Sequence, residues 1–108
     1  MHIQPKQALE KLKEASQEFL EVFQHGSLNV EVYKPDRIDK QGPHKRDEIY
    51  VVISGSGTFM NGNDQREFTA GDFLFVKAGV THRFINFTAD FSTWVFFYGP
   101  EGGESNKL

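Results

Sequence analysis

Two stretches of the chain decide its fold: residues 44–55, which read HKRDEIYVVISG, and residues 71–86, which read GDFLFVKAGVTHRFIN. Both contain short runs of β-branched and aromatic residues that are bounded by glycine-containing turns, a pattern that predicts β-strands. Each stretch also carries one histidine close to a predicted strand, His44 in the first and His82 in the second. The two stretches therefore predict apolar strands that carry a few polar side chains of the kinds that bind ligands or catalyse reactions.

More strands are predicted on both sides of these stretches from the same alternation and turn signals. The full set is Leu28–Tyr33, Glu48–Ile53, Gly57–Met60, Gln65–Phe68, Phe73–Val76, His82–Phe87 and Phe91–Tyr98. Many short strands that follow one another at about 8 to 12 residues, without helices between them, favour an antiparallel sandwich or a small barrel. The predicted fold class is all-β.

One amphipathic helix is predicted ahead of the strands, over Lys6 to Gln24. Its apolar positions recur at spacings of three, four and seven, with Glu and Lys between them; they are Leu9, Leu12, Phe19, Val22 and Phe23. Pro5 precedes the helix, and His25-Gly26 follows it with residues that suit a helix end. We therefore expect one helix that packs on a β-barrel.

The chain is long enough for one hydrophobic core. With 108 residues, it is too short to bury two cores of useful size. We expect residues 1–26 to form the helix on the barrel, residues 27–100 to form the barrel domain, and residues 101–108 to form a flexible tail.

Composition and charge exclude several classes of function. The net charge is −3 and no long block of like charge occurs, so binding to nucleic acid is not expected. The absence of cysteine removes disulfides, cysteine-ligated zinc and thiol nucleophiles. No apolar run has the length of a membrane span or a signal peptide. We expect a cytoplasmic protein.

Several predicted strands are apolar on both faces, which indicates a partner surface. Ile49 and Val51 alternate with Tyr50 and Val52, and the run 94–98 is aromatic or aliphatic throughout. One barrel interior cannot bury both sets, and a helix of 19 residues, about 28 Å long, covers only part of one sheet. We therefore expect a homodimer.

Two histidines and one glutamate have the spacing of a metal site. His44 and Glu48 are four residues apart on an extended run, so their side chains can share a face. His82, Phe84 and Asn86 form a second row of side chains that share a face. A single histidine on a strand usually has no ligand role. Two imidazoles and a carboxylate on inward faces are nevertheless the ligand types of a divalent ion site.

These residues resemble the two motifs of the cupin superfamily. The second motif runs Gly, five residues, Pro-x-Gly, two residues, His, three residues, Asn, and the first ends His, three or four residues, Glu, six residues, Gly. The residues in register are Gly71, Gly79, His82 and Asn86, with Lys77 in place of Pro, and His44, Glu48 and Gly55. The resemblance implies a small single-domain cupin of the conserved-barrel type, a jelly-roll barrel with one N-terminal helix.

Two departures from the motif bear on the metal site. Gly42 stands where cupins usually have an earlier histidine, and Asp36 replaces the leading glycine. The resemblance then leaves His44, Glu48 and His82 as ligands, the composition found in non-haem Fe(II) oxygenases, and Zn²⁺, Mn²⁺ and Ni²⁺ accept the same ligands. The missing position can be filled by water, by substrate, or by a side chain such as Gln41 or His25.

Six residues are candidates for the wall of a substrate pocket: Arg46, Tyr50, Phe84, Asn86, Trp94 and Phe96. Arg46 could hold an anionic substrate or pair on the rim, and the aromatic residues could equally be core. No catalytic residue is assigned apart from the metal ligands.

The resemblance implies two classes of function. The first is a metal-dependent enzyme acting on a small molecule, of dioxygenase, isomerase or decarboxylase type. The alternative is a non-catalytic module that binds or senses a small ligand around a structural metal.

Overall fold

One helix and eight strands form the regular structure of residues 1–105, the part of the chain that this computed structural model describes. The helix is α1 (Pro5–Ala15). The strands are β1 (Phe19–His25), β2 (Leu28–Tyr33), β3 (Asp47–Ser54), β4 (Ser56–Asn61), β5 (Asp64–Thr69), β6 (Phe73–Val76), β7 (His82–Ile85) and β8 (Ser92–Tyr98).

The strands form two antiparallel sheets that enclose one core. The first sheet has the order β1-β2-β8-β3-β6 and the second the order β5-β4-β7. Tyr50 and Val52 of the first sheet pack with Phe59, Phe68 and Phe84 of the second. The predicted all-β architecture with one N-terminal helix is therefore confirmed.

The predicted helix is wrong beyond Ala15. Ser16 adopts a left-handed conformation (φ 54) and its N–H donates to the carbonyls of Leu12 and Lys13, which ends α1. The following segment, Phe19–His25, is a strand that pairs antiparallel with β2. The spacing of its apolar residues suits a helix or a strand, but pairing with β2 provides hydrogen-bond partners for the backbone of the segment. Gly26 (φ 58) makes the hairpin turn between the two strands.

Helix α1 covers part of the outer face of the five-stranded sheet. Ala8 and Leu12 are buried against Val32 of β2, and Leu20 and Trp94 pack around them. The five-stranded sheet lies between this cluster and the main core, which packs on the other face of the sheet. The helix therefore shields one end of the outer face.

Phenylalanines fill the space between the sheets. The ring centroid of Phe84 lies 4.6 Å from those of Phe59 and Phe91 and 5.3 Å from that of Phe68. Such tilted and edge-on pairs add about 0.5 to 1.5 kcal/mol each beyond the area they bury. These four phenylalanines thus help to hold the two sheets together.

Asp47 ties the segment after β8 to the body of the fold. Its Oδ2 accepts a hydrogen bond from the N–H of Glu104 (2.8 Å), and its Oδ1 accepts one from the N–H of Ala78 (3.0 Å). The flexible tail predicted for residues 101–108 lies partly outside the described residues, which end at 105. Asp47 faces away from its neighbour Glu48, as strand alternation requires.

The helix of residues 1–105, α1, is neither long enough nor apolar enough to cross a bilayer.

A pair of glycine substitutions tests the corner between the sheets. Gly55 has φ +84, and a Cβ there would lie 2.6 Å from the Cα of Phe91, whereas Gly71 has φ +91 and nothing within 4 Å. We expect Gly71→Ala to cost about 1 to 2 kcal/mol through the left-handed backbone. Gly55→Ala should cost about 1 to 3 kcal/mol more, because the added methyl overpacks the corner. Urea unfolding measures both, and equal losses would contradict this account of the corner.

Candidate metal centre

The structure brings the three predicted ligands together between the sheets. Glu48 lies on β3 of the first sheet, His82 begins β7 of the second, and His44 lies in the loop before β3. One ligand atom from each lies within 4.8 Å of the others. The Oε1 atom of Glu48 is 3.1 Å from the Nε2 of His82 and 3.8 Å from the Nε2 of His44. The three ligand atoms are therefore close enough to hold one ion.

The carboxylate of Glu48 is buried without a hydrogen-bond partner. The residue is 1% exposed, and neither carboxylate oxygen is hydrogen-bonded among the described residues. The Nε2 of His82 is close to Oε1, but its hydrogen bond goes to the hydroxyl of Tyr50 at 3.1 Å. A buried carboxylate left in this state costs several kcal/mol. A divalent cation beside Glu48 would compensate that cost, so the residues present fit a metal.

Backbone contacts orient the imidazole of His82 and anchor the main chain of His44. The Nδ1–H of His82 donates to the carbonyl of Val80 (2.9 Å), which turns Nε2 toward Glu48. The carbonyl of His44 accepts a hydrogen bond from the N–H of Gly79 (2.7 Å), in the turn that precedes β7. The loop of the first histidine and the strand of the second are thus held together by the main chain.

The pKa values of the two imidazoles are shifted in opposite directions. Burial lowers the pKa of the His44 imidazole. The negative charge of Glu48 raises this pKa in part and His82 lowers it, so the net shift is downward. For His82, burial alone would lower the pKa, but Glu48 and the carbonyl of Val80 together raise it above its ordinary value. A metal that binds His82 would replace the proton held at Nε2.

A buried aspartate that sequence reasoning did not single out organises the loop before β3. Asp39 is 2% exposed. Its Oδ1 accepts hydrogen bonds from the hydroxyl of Tyr33 (2.7 Å) and the N–H of Gln41 (3.1 Å). Its Oδ2 accepts from the N–H of Phe84 (2.9 Å) and the Nε2 of Gln41 (2.8 Å). No spacing in the sequence marks Asp39, because its partners come from β2, β7 and its own loop.

Tyr50 connects this loop to the ligand cluster. Its hydroxyl donates to the Oε1 of Gln41 at 3.0 Å and accepts from the Nε2 of His82. Burial, reinforced by the negative charge of Glu48, raises the pKa of Tyr50 well above its ordinary value. Tyr50 therefore remains a neutral phenol at physiological pH.

A cavity of about 340 Å³ opens over the cluster. It is lined by Phe19, Glu31, Tyr33, Gln41, His44, Glu48, Val95 and Phe97. This volume suits a small molecule. Most of the wall comes from β1, β2 and β8. The residues that these strands contribute to the wall are not among the pocket residues predicted from the sequence.

Three of the predicted pocket residues, Arg46, Trp94 and Phe96, lie away from this cavity. Arg46 turns outward: its Nε donates to the carbonyl of Gly99 (2.9 Å) and its Nη1 to the Oδ1 of Asn29 (2.7 Å). Trp94 and Phe96 lie on the outer face of the sheet, in a cleft with the N-terminal residues. They alternate along β8 with Val95 and Phe97, which do line the cavity.

The other three predicted pocket residues do not line the cavity. Tyr50 and Phe84 are buried, with ring centroids 4.9 Å apart, and the ring of Tyr50 lies 6.1 Å from that of His82. Asn86 follows the end of β7 in a left-handed conformation (φ 52).

A second carboxylate, Glu31 of β2, shares the cavity with Glu48. Burial raises the pKa of Glu31, and the negative charges of Glu48 and Glu21 raise it further. The cavity thus disfavours additional negative charge as long as no cation is bound in it.

Comparison with known proteins identifies relatives of the chain. Residues 29–98 match a family model, Cupin_2, described as a cupin domain. The chain is 32% identical to an uncharacterized protein, SCO3923, of Streptomyces coelicolor, over 77% of this chain and 81% of that protein.

Solved structures share the fold. A cupin-2 domain containing protein from Shewanella frigidimarina superposes with a TM-score of 0.65 at 14% identity, over 84% of this chain and 91% of that one. A cupin superfamily protein from Desulfitobacterium hafniense superposes with a TM-score of 0.62 at 12% identity, over 76% of each chain. The predicted jelly-roll fold is confirmed by these neighbours.

Replacement of Glu31 tests the electrostatics of the cavity. A carboxyl whose pKa is raised on folding above its ordinary value of 4.5 destabilises the folded state once pH exceeds that value. We expect Glu31→Gln to raise the melting temperature of the metal-free protein at pH 7, with a gain that vanishes near pH 4. Thermal unfolding across this pH range measures it, with Glu67→Gln on the exposed edge strand β5 as control. A gain of equal size at both pH values would contradict the electrostatic cause.

Proposed function

Since the chain belongs to the cupin domain family, we propose that it is a metal-dependent enzyme acting on a small molecule. His44, Glu48 and His82 are the protein ligands of one divalent ion in this proposal. The observation that carries it is the buried carboxylate of Glu48, which has no hydrogen-bond partner among residues 1–105 and has an imidazole nitrogen 3.1 Å from Oε1. A divalent cation at this place would satisfy that carboxylate and use both imidazoles.

The cluster accepts iron, zinc, manganese or nickel, because imidazole and carboxylate are ligands common to all four. A bound ion of this kind supplies Lewis acidity, and iron or manganese also supplies redox chemistry, at positions open to substrate. Dioxygenase, isomerase and decarboxylase reactions all use such chemistry. The chain's own part is to orient the imidazole of His82 through the carbonyl of Val80, to anchor the main chain of His44 through the N–H of Gly79, and to keep Tyr50 a neutral phenol beside them.

The walls of the cavity favour a neutral or cationic small molecule. Phe19, Val95 and Phe97 supply apolar surface, while Glu31 adds a carboxylate. None of the described residues that line this cavity is lysine or arginine, and Arg46 is bonded on the other side of the loop. An anionic substrate would therefore have the metal as its only cationic contact in this cavity.

Metal analysis of untagged protein tests the ligand set. We expect one equivalent of a divalent ion per chain. His44→Ala and His82→Ala should each weaken binding by about 100-fold or more, since loss of outer-shell partners alone costs about 10 to 100-fold. His25→Ala, an exposed residue at the end of β1, is the matched control and should bind normally. Equimolar metal retained by a His44→Ala, His82→Ala double variant would show that the site is elsewhere.

The same metal-loaded samples test catalysis. Oxygen uptake with a panel of thiols, diketones and phenols, and anaerobic product analysis for isomers and CO₂, should show turnover in the wild type that is lost with His44→Ala. Saturable binding of a small molecule without turnover by any metal form would overturn the enzyme proposal. It would favour the non-catalytic binding or sensing module.

The protein in this proposal is a homodimer. On the outer face of the five-stranded sheet, Phe73 and Phe75 of β6 are 64% and 42% exposed. They pair in register with Val51 and Ile49 of β3, so the apolar strip continues across the sheet. Helix α1, about 16 Å long for its eleven residues, packs instead around Val32. A strip without charged residues, on an edge strand, suits a second copy of the same strip.

Light scattering at micromolar concentration tests the dimer. We expect twice the chain mass for the wild type and the monomer mass for a Phe73→Lys, Phe75→Lys variant that still binds metal. Met60→Lys, at an exposed residue of β4, is the control and should remain dimeric. A monomeric wild type would contradict the proposal.

The cytoplasmic location and the lack of nucleic-acid binding stay predictions.

A further inference from the structure

A side-chain amide oxygen lies beside the three-residue cluster. The Oε1 atom of Gln41 is 3.2 Å from the Nε2 of His44 and 3.0 Å from the hydroxyl of Tyr50. That hydroxyl lies 3.1 Å from the Nε2 of His82. Each imidazole therefore has a side-chain oxygen close to its Nε2 atom: Gln41 beside His44, and Glu48 beside His82. In each pair the nitrogen and the oxygen lie 3.1 to 3.2 Å apart, a distance that suits two atoms sharing a cation or a proton.

The orientation of the Gln41 amide is fixed by Asp39. Main-chain N–H groups, which can only donate, bond to both oxygens of this carboxylate: the N–H of Gln41 to Oδ1 and the N–H of Phe84 to Oδ2. Asp39 is therefore an acceptor, and the amide NH₂ of Gln41 donates to Oδ2 at 2.8 Å. Rotating the amide would set its oxygen against the carboxylate. The amide oxygen must face the ligand cluster.

We propose that Gln41 binds the same ion as His44, Glu48 and His82 through its Oε1 atom. The proposal rests on the metal site proposed above and names the side chain that fills the position left by Gly42. An amide oxygen has two lone pairs, so Oε1 can keep the hydrogen bond from Tyr50 while it binds a cation. Asp39 is a positioning residue, because it acts on the ion only through Gln41.

His25, the other side chain considered for this position, lies elsewhere. It is exposed at the end of β1, beside the hairpin turn, where its ring stacks near that of Phe23. It is not part of the group of ligand atoms that lie close together. The geometry therefore selects Gln41 over His25.

The identity of the fourth ligand has a consequence for metal preference. Carbonyl and carboxylate oxygens suit harder ions such as Mn²⁺, whereas sites rich in imidazole suit zinc and copper. Two nitrogens and two oxygens make this site harder than one with three histidines and a glutamate. We expect the oxygen of Gln41 to contribute more to Mn²⁺ binding than to Zn²⁺ binding.

Gln41→Met tests the proposal, because it keeps the length of the side chain and removes the oxygen. We expect Mn²⁺ to bind about 10 to 100-fold more weakly, a loss in the range seen when a metal site is perturbed. Water-proton relaxation of the Mn²⁺ complex should show about one more bound water than in the wild type. His25→Ala should change neither quantity. Circular dichroism and the melting temperature of the metal-free variant establish that it is folded.

The outcomes separate this proposal from the one on which it rests. Unchanged Mn²⁺ affinity and water count in Gln41→Met, with binding lost in His44→Ala, would overturn the role of Gln41 alone. Binding that survives in the histidine variants would overturn both. Should Gln41→Met fail to fold, the wild-type complex decides: in a six-coordinate ion, about two bound waters support four protein ligands, and three overturn Gln41 as a ligand.

Discussion

The buried carboxylate of Glu48 is the constraint on which the rest of the site depends. Strand alternation on β3 points Glu48 into the space between the sheets, where it is 1% exposed. The protein provides it with imidazole nitrogens, at 3.1 and 3.8 Å, and with no hydrogen bond among residues 1–105. Because a buried carboxylate is costly unless it is paired, the arrangement depends on a positive charge beside Glu48, either a proton on His82 or a bound cation. The site is thus built for binding, at the expense of the stability of the metal-free chain.

The second organising element is the hydrogen-bonded carboxylate of Asp39. It joins the loop before β3 to Tyr33 of β2 and to the main chain of Phe84 in β7, so both sheets hold the same loop. The two acidic residues have opposite roles. Asp39 is saturated with donors and is structural, whereas Glu48 has none and is available to a metal. This division explains how a loop presents His44 and Gln41 to a cluster whose other members, Glu48 and His82, lie on strands.

Strand patterning and motif spacing predicted much of the fold and the three clustered residues, because both are local in sequence. Local pattern failed where tertiary contacts decide. The apolar residues of Phe19–His25 suit a helix or a strand, and pairing with β2 selects the strand. Along β8, Trp94 and Val95 are equally apolar, so sequence alone does not show which one faces inward. Asp39 has partners from distant strands, and Arg46 is turned outward by the main chain of residues 27 and 99.

Crystals of the metal-loaded protein provide the most direct test of the metal centre. Anomalous scattering recorded on both sides of the iron, zinc, manganese and nickel absorption edges both locates and identifies the ion. We expect one peak per chain, about 2.0 to 2.2 Å from a carboxylate oxygen of Glu48 and from the Nε2 atoms of His44 and His82. A peak at any other place, or none in crystals of protein that binds metal in solution, would contradict it.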